Sequence, residues 1–212
     1  MEEIGKREAQ ERIHEIQRIM ERSTLYTTLP GVEAVIGGIL ALAGCVVSFV
    51  TIRSLDFAAV CNLTRSAQWA FWGMWSVVAG VAIVQSIVLT AKEIRKQGLT
   101  PLYKPGRLVA LALTPSVLVA VALTFRIILD SPDGITYLAP IWMMCYGTGV
   151  YVAGLFSLRM PRILGIAFIA TGALGLFFLP GLGVLLTALS FGIYHIVFGM
   201  LVVRRKEQAK LA

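Results

Sequence analysis

Three ionisable side chains stand inside long apolar stretches of this chain: Glu33, Arg126 and His195. A charge at the centre of a hydrocarbon layer costs about 3 kcal/mol or more, so each needs a partner, a water path or a reason to be there. Arg126 has Asp130 at i+4 near the end of its stretch, which predicts an intrahelical pair that snorkels to the interface. Glu33 lies one turn inside the first stretch, either as a solvated carboxylate or as a working group. His195 is deeper in the last stretch, beside Tyr194 and Ser190. It reads as a neutral imidazole hydrogen-bonded among helices, or as a proton-handling group. If the first and last stretches touch, Glu33 and His195 fall at comparable depth, and Gly37/Gly44 facing Gly192/Gly199 would allow the close approach. The pair would then be a structural lock or a proton-responsive site. Thr114-Pro115-Ser116 falls in mid-stretch, where Pro115 cannot donate to the helix, so a kink or a broken-helix cavity is expected there. Gln85 and Ser86 add polarity to the second stretch.

The chemistry stops there. The chain has no paired acidic catalytic motif, no Gly-x-Ser-x-Gly, no phosphate loop and no metal-ligand spacing. Its two histidines are too few for the usual bis-His haem arrangements in one subunit. Three cysteines, Cys45, Cys61 and Cys145, form no disulfide framework and read as small apolar residues. Neither an enzyme nor a cofactor is expected.

The elements that must position these groups are six apolar stretches, at about 30–52, 67–89, 108–129, 135–157, 163–179 and 182–203. A helix crosses about 30 Å of hydrocarbon with about 20 apolar residues and satisfies its own backbone there. With 57% apolar and 15% charged residues, the composition is not that of a soluble domain. The expected fold is an all-α, six-helix membrane bundle over 27–203. A charged cytoplasmic helix (1–26) precedes it and a basic tail (204–212) follows. The short fifth stretch and Leu179-Pro180-Gly181 fit either a tight outer hairpin or a re-entrant pair. The hairpin is preferred, because basic residues flank the pair on both sides.

The net charge of +7 is a topology signal rather than a nucleic-acid one. Sixteen Lys and Arg residues fall in the N-terminal segment, the second and fourth connections and the tail, against Arg53 and Arg65 on the other side. Basic residues near span ends stay in the cytoplasm, so both termini are expected there, in a bacterial-type plasma membrane. Trp69, Trp72, Trp75 and Trp142 then occupy outer halves of spans, as interfacial indoles would. The second connection carries Lys92, Arg95, Lys96, Lys104 and Arg107 among Gly and Pro residues. It reads as an irregular segment held against anionic headgroups, or as plain positive-inside topology. On the outer side, Ser131-Pro132-Asp133-Gly134 predicts a type I turn. The Asn62-Leu63-Thr64 sequon there is a motif common by chance.

In the N-terminal segment Ile13, Ile16 and Met20 share one face of a helix laced with i,i+4 charge pairs. That stripe suits a protein partner, self-association or the membrane surface, or else it is a solvated lead-in to the first span. Glycines seven residues apart recur in five of the six spans, as Gly31/Gly38, Gly37/Gly44, Gly73/Gly80, Gly147/Gly154, Gly165/Gly172 and Gly192/Gly199. This spacing predicts close, left-handed helix packing.

Ile19-Met20-Glu21-Arg22-Ser23-Thr24, followed by Leu29-Pro30-Gly31 and the Gly37–Gly44 run, resembles the start of a group of uncharacterised bacterial multi-span integral membrane proteins. In that group a charged helix ending in a Met/Leu-Glu-Arg-Ser motif leads into a Gly- and Ala-rich first span. Pro30 and Glu33 depart from the pattern. The likeness covers about residues 19–45 and implies no activity. The expected function is a non-enzymatic membrane component, oligomeric or partner-binding, working at its cytoplasmic surface. The rival is a small transporter or channel built on Glu33, Pro115 and His195.

Overall fold

The computed structural model describes residues 31–96, 98, 104–155 and 159–211. The charged segment before Gly31, with Ile13, Ile16 and Met20, lies outside the described residues. Those described form an all-helical bundle with no strand. Its helices are α1 (Gly31–Ile52), α2 (Arg65–Lys96), α3 (Lys104–Asp130), α4 (Leu138–Leu155), α5 (Arg159–Phe178) and α6. The last runs through Gly183–Thr187, a π-helical stretch Ala188–Tyr194 and His195–Leu211. Among the described residues six helices are long and apolar enough to cross a membrane, in agreement with the six stretches.

The heptad glycines decide which helices touch. The α4–α5 contact is the most extensive. There a Cβ on Gly165 would lie 2.6 Å from the Tyr151 nitrogen and 2.7 Å from the Gly147 carbonyl oxygen. No other residue fits between two backbones so close, which is how small residues drive association where lipid supplies no hydrophobic force. The α1–α6 contact is built alike, Gly31 lying against Gly199 and Gly38 against Gly192 and Ile196. This corrects one expectation: Gly37 and Gly44 do not face α6. They look onto Gln85 and Trp75 of α2. The two glycine pairs of α1 are six residues apart, about 120° round the axis, so α1 holds α6 on one face and α2 on another.

One end of the bundle gathers the start of α1 and the ends of α2 and α6, where Lys206 Nζ lies 3.5 Å from Glu93 Oε1. Because the basic helix ends collect there, it is called the basic end. At the opposite, loop end the connections are structured. Residues Phe57–Asn62 form a 3-10 turn capped by the Asp56 carboxylate on the Ala58 N–H (2.9 Å). This turn buries Phe57 and Val60 among Phe71, Ile135 and Val184. The expected turn at Ser131 is present as the Gly134 N–H to Ser131 carbonyl bond (2.8 Å), and it continues as a 3-10 turn to Tyr137. Leu179-Pro180-Gly181 makes a tight reversal with Gly181 at φ +85°, a conformation suited to glycine.

One further expectation changes. The basic connection is less irregular than its Gly and Pro residues suggested. α2 continues in helix through Lys92, Arg95 and Lys96, and α3 already begins at Lys104, so Arg107 stands on its first turn. Both helices outrun their apolar stretches because long straight-chain side chains are good helix formers. Two of the four indoles also have partners within the bundle: Trp75 Nε1 donates to Ser48 Oγ (3.0 Å) and Trp142 Nε1 to Thr124 Oγ1 (2.8 Å). They pin α2 to α1 and α4 to α3. Arg126 and Asp130 pair at i,i+4, exposed at the end of α3.

Candidate intramembrane polar site

Glu33 is half-buried on the face of α1 that meets α2. The spacing is legible: Glu33 and Gly37 are one turn apart on the same face, and Gly37 looks onto Gln85 of α2. Three polar residues on the last turns of α2 converge on it. Ser86 Oγ and Thr90 Oγ1, themselves one turn apart, both donate to Glu33 Oε2, at 3.1 and 2.9 Å. Gln85 Nε2 donates to the Glu33 backbone carbonyl at 3.1 Å. Its Oε1 is buried and has no hydrogen-bond partner among the described residues. The charged groups nearby are Lys206 of α6 and Glu93 of α2, which bond each other.

His195 takes a different set of neighbours. It follows the π stretch of α6, where Ser190 Oγ bonds back to the Leu186 carbonyl (2.7 Å). Its ring enters an aromatic cluster, with Phe191 stacked on it at 6.0 Å and the fully buried Phe168 edge-on at 5.4 Å. Tyr146 of α4 shares a hydrogen bond of 2.8 Å with His195 Nε2. The carbonyls of Ser190 and Phe191 approach the ring, yet Nδ1 has no partner in hydrogen-bonding geometry. A single widened turn such as this π stretch often marks a functional position.

The structure therefore places Glu33 and His195 at similar depth but on different neighbours. The antiparallel register, Gly31 on Gly199 and Gly38 on Gly192, sets the depth. Glu33 looks to α2, whereas His195 looks to α4 and α5, and no hydrogen bond or ion pair joins them. Pro115 does not join either group. It is exposed on the outer surface of α3, in unbroken helix, while Leu113 and Ser116 pack against Gly149 of α4. Lys92, Arg95, Lys96 and Arg107 surround the basic end on α2 and α3. Thr90 and Tyr146 were the residues sequence reasoning missed. Thr90 sits four residues after Ser86, a signal available once Glu33 is assigned to the α2 face. Tyr146 carries no such signal.

A cleft of about 260 Å³ between α2 and α3 at the loop end, lined by Arg65, Gln68, Trp72, Ile128 and Leu129, is separate from these groups. Among the described residues no cluster of three His, Cys, Asp or Glu side chains is suited to a metal. Compared with models of known families, with curated proteins and with solved structures, the chain has no match.

Proposed function

We propose that this chain is a non-enzymatic component of a bacterial-type plasma membrane, with both termini cytoplasmic, that works as a homo-oligomer paired through α2. The coarse part needs no proposal: six apolar helices fit a multi-pass integral membrane protein. The observation that carries the finer reading is the state of the glycine pairs. Gly31/Gly38, Gly147/Gly154, Gly165/Gly172 and Gly192/Gly199 each have a neighbouring helix where a Cβ would go, whereas Gly73 and Gly80 have nothing within 4 Å. These two alternate with Val77, Val84 and Ile87 at four- and three-residue steps, all on the exposed side of α2. Of α2 only Phe71 and Ile94 are buried. A 4-3 stripe of small and branched residues fits a parallel, left-handed contact with the same stripe of a second copy, which is a two-fold arrangement.

With Cys45, Cys61 and Cys145 replaced by alanine, Val77→Cys should oxidise to a covalent dimer in native membranes. Val46→Cys, equally exposed on α1, should not. Equal cross-linking at both positions, or none at Val77, would sink the pairing.

Sidedness rests on the charge asymmetry, and the basic helix ends also give Lys92, Arg95, Lys96, Lys104 and Arg107 a reach to anionic headgroups, about 1 kcal/mol each. In intact cells a membrane-impermeant thiol reagent should label the exposed native Cys61. Lys96→Cys and Glu207→Cys should react only after the membrane is opened. The reverse pattern would invert the protein. A transporter reading keeps one specific support, the hydrogen-bonded Glu33, and loses Pro115 to the outer surface.

A further inference from the structure

We infer that Glu33, Ser86, Thr90 and Gln85 form a binding site for one small alkali cation, of the sodium class, between α1 and α2 at the basic end. The site goes beyond oligomerisation and stands whether or not α2 pairs with a second copy.

The donor set is the first argument. A hard monovalent cation takes oxygen ligands of mixed charge, and this cluster offers a carboxylate and two hydroxyls within 3.1 Å of one carboxylate oxygen. Oxygens that close together can share a small cation with little movement. The hydroxyls now spend their protons on Glu33. Each sits on a helix with the carbonyl of residue i−4 within reach of a Ser or Thr rotor, that of Ala82 for Ser86 and that of Ser86 for Thr90. Turning the protons to those carbonyls frees the lone pairs for a cation without unfolding a turn.

The second argument is the orphan acceptor. The Gln85 amide is held by its nitrogen on the Glu33 carbonyl. That oxygen is buried, half of a strong acceptor–donor group, and unpartnered. Buried acceptors are normally satisfied, so this one, on an amide that already touches the Glu33 residue, is a neutral oxygen available as a further ligand.

Charge balance is the third. A carboxyl group among apolar helices is neutralised either by a proton or by a compensating cation. The neighbouring cation, Lys206, is already 3.5 Å from Glu93 Oε1, and no cation of α1, α2 or α6 bonds Glu33 among the described residues. Lys206 is then a repulsive neighbour that weakens the cation, and a proton is its competitor for the same carboxylate.

The test uses the full chain in nanodiscs, with a hydrophobic carbodiimide that modifies Glu33, read by mass spectrometry. At fixed pH and ionic strength, sodium chloride should slow modification relative to choline chloride, and Lys206→Gln should lower the sodium concentration needed. Ser86→Ala with Thr90→Ala should raise that concentration by about tenfold or more, the usual cost of losing ligands to a charged group. Sodium should also raise the thermal midpoint of the wild type and not of Glu33→Gln, which separates loss of the site from loss of the fold. Modification that answers to pH alone, with no difference between sodium and choline, would overturn the cation site and leave a simple protonatable carboxylate.

Discussion

Gly165→Leu should leave almost no folded protein, while Gly80→Leu should melt like the wild type. At Gly165 even the first added carbon would stand 2.6 Å from the Tyr151 nitrogen and 2.7 Å from the Gly147 carbonyl oxygen. Backbone cannot move aside as a side-chain tip can, so α4 and α5 would have to separate. Overpacking a core commonly costs about 1–3 kcal/mol where side chains can adjust. A branched chain wedged between two backbones should exceed about 4 kcal/mol, the range reserved for severe packing failures. Around Gly80 there is open space, so the same change meets nothing within the chain. Recovery of monodisperse protein in mild detergent, followed by thermal unfolding, reads both variants. Equal loss would mean that glycine contacts do not hold α4 to α5. In membranes, Gly80→Leu should nonetheless abolish the Val77→Cys cross-link, because the leucine fills the groove a second α2 would enter.

These glycines also show how far the sequence could be read. Seven-residue spacing pointed to close packing, and that much follows from small residues and helical geometry alone. Which neighbour each pair meets does not follow, because one helix can present two glycine faces. α1 does so, with Gly31 and Gly38 on α6 and Gly37 and Gly44 on α2. Facing Gly37/Gly44 toward α6 is what made a Glu33–His195 contact conceivable. The real partners of Glu33 come from the face the sequence had already marked as polar, Gln85 and Ser86. Pro115 misled for a related reason. A proline in a span says that one backbone bond is missing, and not which way the ring points. The indoles carry a contact that the sequence did not show: Trp75 and Trp142 each find a hydroxyl on a neighbouring helix. An indole N–H inside a membrane takes a protein partner when one is within reach, since the alternative is an unsatisfied donor.

Tyr146→Phe should destabilise the bundle by about 1–3 kcal/mol, although it deletes a single oxygen. The phenol is the hydrogen-bond partner of His195 Nε2, at 2.8 Å. His195 Nδ1 already has none among the described residues, so the substitution strands both ring nitrogens among Phe168 and Phe191. The cost is that of a buried polar group left unpaired, not of the bond itself. Tyr194→Phe is the matched control. Its hydroxyl bonds Thr171 Oγ1 at 2.8 Å, but Thr171 keeps a second bond to the Ala167 carbonyl, so nothing is orphaned and the loss should be a few tenths. Replacing both partners removes the orphan. Tyr146→Phe with His195→Leu should therefore cost less than the two single changes together, by about 1 kcal/mol. Reversible unfolding in mixed micelles gives all four values. If Tyr146→Phe proves no worse than Tyr194→Phe, water already serves the imidazole, and His195 faces an aqueous path rather than a dry core.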